Sequence, residues 1–392
     1  MDTTDILIAG GGIAGLTAAA RLGAQGWQVT LVDPAPASAG AGTDLRTTAF
    51  LQPAIATLGH AGVWQAMQAG AAPLRVMRIV DAGGRERAPR ETADFEGREA
   101  GHDLFGWNVS NQAAKATLLA RLSALPQVTL CQGVSVTGYV TRLEHALVRL
   151  SDGRQIAARL VVAADGRDSS LRRLAGIRHR RWDYGQQALV FCVTHDAPHD
   201  GVSTEIHRTG GPLTLVPMPD VDGRPSSSVV WMMPGSRAQE MAALGTDALG
   251  TTLSEETMGL FGPLRVVSPR ATWPIISQVA LALTAPRLAL VAEAAHVMPP
   301  IGAQGLNTSL HDIETLAGLI EDRDDPGAPG LLQRYERMIL PRTMARMAGV
   351  DLLNRASQAE LQPLRDLRRL GLSAIHRIAP LRRLAIKTGL GS

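Results

Sequence analysis

Three glycines, Gly10, Gly12 and Gly15, followed by a carboxylate at Asp33, hold the clearest chemistry in this 392-residue chain. Each glycine has a separate task where a backbone must close on a pyrophosphate. The first permits a tight turn, the second lets the backbone approach the phosphates, and the third lets a helix pack closely on a strand. The N-terminus of that helix points unpaired N–H groups and a partial positive charge at the anion. A carboxylate placed like Asp33 accepts a hydrogen bond from a ribose 2′-OH. The pattern points to a dinucleotide and leaves open whether it is NAD or FAD. Two later stretches follow the same logic. Leu160-Val-Val-Ala-Ala-Asp165-Gly166-Arg167-Asp168-Ser169-Ser170-Leu171-Arg172 runs an apolar strand into an acid and a polar turn, as a second cofactor-facing crossover needs. Leu288-Ala-Leu-Val-Ala292 leads to Glu293, and then to a loop of prolines and glycines from Pro299 to Gly305. Small residues before a helix again offer backbone N–H groups to an anion, beside an acid able to bond a polyol.

Strands and helices must position these residues, and the hydrophobic pattern supplies them. Residues 5–9 and 28–33 read as short buried strands on either side of a helix through Leu16, Ala19, Ala20 and Leu22, a βαβ unit. Residues 113–125 read as a helix, 128–162 as a run of strands with a turn at 151–153, and 236–261 as one or two helices. A further helix runs through Leu310, Ile313, Leu316 and Leu319. Residues 75–107 show little periodicity and many charges and are expected to give irregular strands to a second domain. Between 184 and 231, β-like runs at 188–193, 203–207, 213–216 and 227–231 are punctuated by Gly and Pro. They read as a separate sheet-containing domain that interrupts the first. The fold class is therefore α/β.

An apolar content of 45% and a charged content of 19% exclude a disordered chain, and the length suggests two or three domains. Cys131 and Cys192 are too few for a disulfide scaffold or a cysteine zinc site, so no metal is expected. A net charge of +3 is too small to imply nucleic acid. All but two of the 39 basic side chains are arginine, the exceptions being Lys115 and Lys387. No apolar stretch reaches 18 residues. Residues 6–20 follow Asp2 and Asp5 rather than a basic segment, unlike a signal peptide. Residues 279–297 are interrupted by Arg287, Glu293 and His296. The expectation is a cytoplasmic protein, soluble or peripheral to the inner face of the membrane. Bland readings suit the remaining polar and aromatic residues: a structural hydrogen bond for His296, a core position for Cys192 and a solvated basic turn for His179, Arg180 and Arg181. Trp231 and Trp273 read as core or as lining of a substrate cavity.

Taken in order, Gly10-x-Gly12-x-x-Gly15 with Asp33, Asp165-Gly166-x-x-Ser169-x-x-Arg172 and the segment from Glu293 to Asn307 resemble the class A flavoprotein monooxygenases, the para-hydroxybenzoate hydroxylase fold group. Within that group, three stretches are most similar to the aromatic-ring hydroxylases of ubiquinone biosynthesis. They are Asp44-Leu-Arg46-Thr-Thr-Ala49, Gly211-Pro-Leu with Pro217 and Ser228-Val-Val-Trp231, and Pro300-Ile-Gly-Ala-Gln-Gly-Leu-Asn307. The resemblance covers residues 1 to about 340. It implies a FAD-binding Rossmann-like domain with an inserted β-sheet substrate domain and a C-terminal helical segment. The expected division gives residues 1–74, 108–183 and 286–340 to the FAD-binding domain, 75–107 and 184–285 to the substrate domain, and 341–392 to C-terminal basic helices.

The same resemblance implies FAD as cofactor, NAD(P)H as a transient reductant, and O2 and a lipophilic aromatic as substrates. The implied reaction is hydroxylation of a polyprenylated phenol by a C4a-hydroperoxyflavin. A hydroxylase of a soluble aromatic and a flavin-binding scaffold without turnover are the alternatives. Carried over by residue, Gly10, Gly12 and Gly15 approach the pyrophosphate and Asp33 the adenosine ribose. Arg46 reaches the cofactor, and Asn111 stands where the family often has Arg or Gln near the flavin. Asp165 closes the second motif with Arg172 as its ion-pair support. Glu293 stands where the family usually has an Asp that bonds the ribityl chain, and Ala292 where it usually has Gly. Both are departures. Gly302, Gly305 and Asn307 line the flavin ring, with the positive end of a helix beginning near Gly305 directed at it. No catalytic side chain is identified.

The tail stands apart. Residues 342–392 hold ten basic side chains and three acids, a net +7, which leaves −4 for the rest of the chain. Leu364, Leu367 and Leu370 alternate with Arg365, Arg368 and Arg369 at helical spacing, and Ile375, Ile378 and Leu381 continue towards Arg382, Arg383 and Lys387. Two readings stay open. In one, an amphipathic helix closes the fold on its apolar side and leaves a solvated basic face. In the other, the basic face meets anionic lipid headgroups.

Overall fold

The computed structural model describes residues 2–36 and 46–390; Asp44, in the motif around Arg46, and the side chain of Lys387 lie outside the described set. Strand Asp2–Ala9 is the axis of the first sheet. Its Ile6, Leu7, Ile8 and Ala9 are buried on both faces, as a strand covered by helices on either side requires. It pairs in parallel with Val29–Asp33 on one edge and Gln155–Ala163 on the other. Val128–Gln132 and Leu288–Leu290 extend the parallel order outward. Helices Ile13–Ala24, Asn111–Ser123 and Gln304–Ile320 pack together over this sheet. The antiparallel strands Val136–Thr141 and Ala146–Leu150 extend it beside Gln155–Ala163.

The second sheet has nine strands, with His179–Thr194, Arg224–Pro234, Pro212–Val221 and Val202–His207 in sequence across its middle. Alternate residues face opposite ways along each strand. Leu189, Phe191, Ile206, Leu215, Val229 and Trp231 form one buried face, completed by Ala238 of helix Gly235–Ala243 and Leu249 and Leu253 of helix Thr246–Glu256. The opposite face carries Ala188, Val190 and Met232, packed on Met298, Ile301, Met347 and Val350. Further along, Ala93 and Phe95 pack on Leu51, Leu74, Phe105 and Ile386. A three-stranded sheet of Thr47–Leu51, Gly106–Ser110 and Ala72–Leu74 supplies part of that cover.

Three expectations change. Residues 75–107 contain two regular strands, Val76–Asp81 and Glu91–Glu96, rather than irregular ones. Their charges hid the period because they pair across the strands, Arg78 with Asp94 at 2.7 Å. His179, Arg180 and Arg181 are exposed but form the start of a 16-residue strand, not a turn, because Gln278, Val279 and Ala280 pair with them. The third change concerns the tail.

Helices Pro329–Ser357, Gln362–Arg377 and Ala379–Leu390 end the chain. Pro363 sits in the first turn of its helix, where its missing N–H costs nothing. Leu364, Leu367 and Leu370 of helix Gln362–Arg377 face outward while Arg365 and Arg368 face in, the reverse of what an apolar side closing the fold requires. Arg368 donates to Asp81 at 3.0 Å and to the carbonyls of His207 and Arg208. Arg365 donates to the Gly83 carbonyl, and Arg382 to Glu99 and the Asp94 carbonyl. The cause lies on the sheet: Asp81 is only 1% exposed and needs cations, and the guanidinium fork can serve a carboxylate and strand carbonyls at once. Leucine offers them nothing. Among the described residues, Leu372, Ile375 and Ile386 reach the core from these two helices. Among the described residues, no helix is long and apolar enough to cross a membrane.

Candidate functional site

The glycine turn sits where the first two parallel strands end. Gly10 has φ +109°, and a Cβ there would overlap the Ala164 carbonyl; a Cβ at Gly15 would overlap the Gly10 carbonyl. These close approaches bring the first motif against the second, since Ala164 precedes Asp165. Gly12 faces open space, with no described atom within 4 Å of a Cβ built on it. Helix Ile13–Ala24 starts there with no side chain capping its N–H groups. Asp33 accepts from the backbone N–H of Gly11 and, at 2.7 Å, from that of Ala35. It borders a small cleft with Gly11, Leu31, Lys115 and Gln132. Lys115 was not singled out for this site by its pattern. The available signal was its rarity, one of two lysines in an arginine-rich chain.

In the second motif, one oxygen of Asp165 accepts from the Ser170 hydroxyl at 3.0 Å and the Leu171 N–H at 3.1 Å. The other oxygen is buried and has no hydrogen-bond partner among the described residues. Arg172 does not serve as the direct ion-pair support of Asp165. It is buried and donates to the carbonyls of Ala294, at 2.9 Å, and Arg167, at 2.8 Å. Burial pulls its pKa down, against the field of Asp165. It thereby ties the second motif to the third. Glu293 joins them from outside through an ion pair with Arg167, at 3.2 Å. Arg167 is a second residue the sequence pattern did not single out. Ala292 has φ +54°, a left-handed backbone that favours glycine, so the departure at this position is a strained one.

The third motif is held from within. His296 and Asp312 meet at 2.7 Å with both side chains about 1% exposed, a structural hydrogen bond as its setting suggested. Gly302 and Ala303 take φ of +61° and +56°, turning the chain into helix Gln304–Ile320, whose N-terminus has no side-chain cap. The Asn307 amide accepts from the Leu51 N–H at 2.8 Å and donates to the carbonyls of Ala49 and Ala303 at 2.7 Å. It therefore locks strand Thr47–Leu51 to this helix. On the same strand the Thr48 hydroxyl donates to Asn111 at 2.7 Å, and the Asn111 N–H donates to the Arg46 carbonyl at 3.0 Å. The Arg46 guanidinium stacks over Trp273, 4.4 Å from the ring centre. Trp273 is thus at the site's edge, whereas Trp231 is core. Cys192 is half-buried, and burial pushes its thiol pKa up. Tyr184, bonded to Asp351 at 2.6 Å, has its phenol pushed up to about 12 by burial and that carboxylate.

Gly10, Gly15, Asp33 and Asp165 thus converge at one end of the first sheet, while Arg46, Asn111 and Asn307 converge at strand Thr47–Leu51. The residues fit FAD. An open glycine edge and an uncapped helix suit a pyrophosphate. A buried, unpartnered carboxylate oxygen suits a hydroxyl donor. A second uncapped helix N-terminus suits an anionic ring.

Comparison with known proteins points to the same cofactor. The family model described as "FAD binding domain" matches residues 3–349. The ubiquinone hydroxylase UbiL of Rhodospirillum rubrum is 34% identical over 99% of this chain and 90% of its own length. The 3-demethoxyubiquinol 3-hydroxylase of Escherichia coli is 29% identical over 99% of this chain and 98% of its own. The crystal structure of p-nitrophenol 4-monooxygenase from Pseudomonas putida superposes with a TM-score of 0.80 at 17% identity, covering 100% of this chain and 99% of that one. That likeness concerns the fold.

Proposed function

We propose a reaction from one premise: the chain belongs to the FAD-binding-domain family and is an FAD-dependent aromatic-ring monooxygenase. It hydroxylates the ring of a polyprenylated phenol in ubiquinone biosynthesis. The observation that carries this reading is the end-to-end likeness to a ubiquinone hydroxylase and a 3-demethoxyubiquinol hydroxylase.

When bound, FAD supplies the oxygen activation that no side chain can perform. The chain's own residues hold, orient and keep water out. Gly10, Gly12 and Gly15 take the pyrophosphate, and Asp33 the adenosine ribose. Asp165 accepts from the cofactor through its unpartnered oxygen. Arg46 and Asn111 reach the cofactor beside strand Thr47–Leu51, and Glu293, fixed by Arg167, contacts the ribityl chain. Gly302, Gly305 and Asn307 line the ring, and the N–H groups opening helix Gln304–Ile320 stabilise negative charge on it. Met298 and Ile301, with Leu51 and Phe105 further along the sheet, exclude water. The division of labour follows residues 1–74, 108–183 and 286–340 for FAD, 75–107 and 184–285 for substrate, and 341–392 for the C-terminal helices. NAD(P)H docks transiently as reductant. The protein works in the cytoplasm, peripheral to the inner face of the membrane, which it meets through those helices.

Deletion in the host followed by analysis of quinone precursors tests this. A single phenolic precursor lacking one ring oxygen is expected. Unchanged quinone with no precursor, in a host without a second hydroxylase, contradicts it.

A further inference from the structure

We propose that the outward leucine face of helix Gln362–Arg377 seats the protein on a lipid bilayer, with the leucines entering the acyl boundary. This rests on the reading that the substrate is a membrane-dissolved polyprenylated phenol. Leu361, Leu364, Leu367 and Leu370 recur every three residues and are between 50% and 67% exposed. Leu381 and Leu384 are likewise exposed on the helix that follows. A single exposed leucine is ordinary; a stripe of them marks a surface with a partner.

The stripe is not an unfilled part of the core. The inner side of the helix is already occupied by Arg365 and Arg368, bonded to Gly83 and Asp81, and no residue of the helix is buried. Arg365 and Arg368, two guanidiniums that would otherwise screen such leucines from water, are engaged with the sheet. An interfacial helix of this kind lies flat and buries its apolar side roughly 5–10 Å into the headgroup boundary.

Charge selects the occupant. Residues 342–392 carry +7 against −4 elsewhere. Arg368 and Arg382 are balanced by Asp81 and Glu99 of the body; Arg377 makes a longer 3.8 Å contact with Glu91 and stays 74% exposed, and Arg383 is exposed. A second copy docked face to face would set like charges against each other. A bilayer containing anionic lipid complements them. The mode also differs from a purely electrostatic one, because the apolar contribution survives salt that screens the arginines.

The test is co-sedimentation of the FAD-loaded protein with vesicles of phosphatidylcholine mixed with phosphatidylglycerol, at low and high salt and without substrate. Wild type is expected to bind and to retain part of its binding at high salt. The triple variant Leu364→Ser, Leu367→Ser, Leu370→Ser is expected to lose at least tenfold in affinity, about 1.4 kcal/mol, with FAD content unchanged. As a second readout, an environment-sensitive dye on Leu367→Cys is expected to shift to the blue on vesicles. Binding equal to wild type in the triple variant, binding abolished by salt, or an unshifted dye overturns the proposal. So does a fall in oligomer mass in the triple variant with vesicle binding intact, which would assign the stripe to self-association. Since no substrate is present, a wrong substrate assignment leaves vesicle binding standing, and failed vesicle binding leaves the precursor analysis standing.

Discussion

Helix Ile13–Ala24 buries ten of its twelve residues, whereas helix Gln362–Arg377 buries none of its sixteen. Both lie against a sheet. The first is mostly Ala, Gly and Leu and comes close because small residues allow it; its N-terminus at Gly12 carries no side-chain cap. The second is tied to the sheet through long guanidinium forks and presents Leu364, Leu367 and Leu370 to the outside. Side-chain polarity alone therefore does not decide which way a helix faces. What the opposing surface lacks decides it: parallel strands of Ile and Leu ask for apolar cover, and a buried Asp81 asks for arginine.

Four perturbations bear on that contrast, the largest first. Gly15→Val sets a side chain against the Gly10 carbonyl, with no flexible group to yield. Loss of nearly all bound FAD is expected, read from flavin absorbance of the purified protein; normal FAD content would break the claim that closeness is what the first helix provides. Arg368→Ala removes one of the two arginines paired with Asp81, leaving Arg90. A loss of about 3 kcal/mol in urea unfolding is expected for a buried pair broken on one side, against less than about 0.5 kcal/mol for Arg383→Ala on the exposed side. Equal effects would erase the inside–outside distinction. Ala292→Gly relieves a φ of +54° at the expense of chain entropy, for a net gain of about 0.5 kcal/mol, seen as a small rise in Tm.

The smallest effect is one of pH. The Arg382 guanidinium holds the Glu99 carboxyl below its usual range, assisted by the Glu96 N–H. A carboxylate depressed in the folded state stabilises it above the unfolded pKa, and that contribution is lost as pH falls through the folded value. Docking of helix Ala379–Leu390 is therefore expected to loosen only in acid, below about pH 4. Hydrogen exchange corrected for intrinsic rates should show it, and Arg382→Gln should abolish the dependence. Loosening already at neutral pH would contradict it.

The same contrast explains what the sequence made legible. Gly10 and Gly15 were readable because glycine is demanded there locally, Gly10 by a turn of positive φ and Gly15 by contact with the Gly10 carbonyl five residues back. The strand–acid pattern at Asp165 and Glu293 was readable for a similar reason, and the leap from dinucleotide to FAD came from resemblance. Helical spacing in the tail told which residues share a face and not which face turns inward, since Asp81 lies 287 positions from Arg368. The ion-pair support expected from Arg172 went instead to the carbonyls of Arg167 and Ala294, contacts that only the folded chain brings together. Lys115 and Arg167 were missed because single basic residues among so many arginines carry no spacing.

The central claim is that this chain puts an oxygen atom on a membrane-dissolved phenol. The direct measurement supplies the purified FAD-loaded protein with NAD(P)H, O2 and a polyprenylated phenol held in vesicles, and weighs the product by mass spectrometry. The account predicts a product heavier by one oxygen atom, labelled when 18O2 is used. NAD(P)H consumption with the phenol recovered unchanged would contradict it.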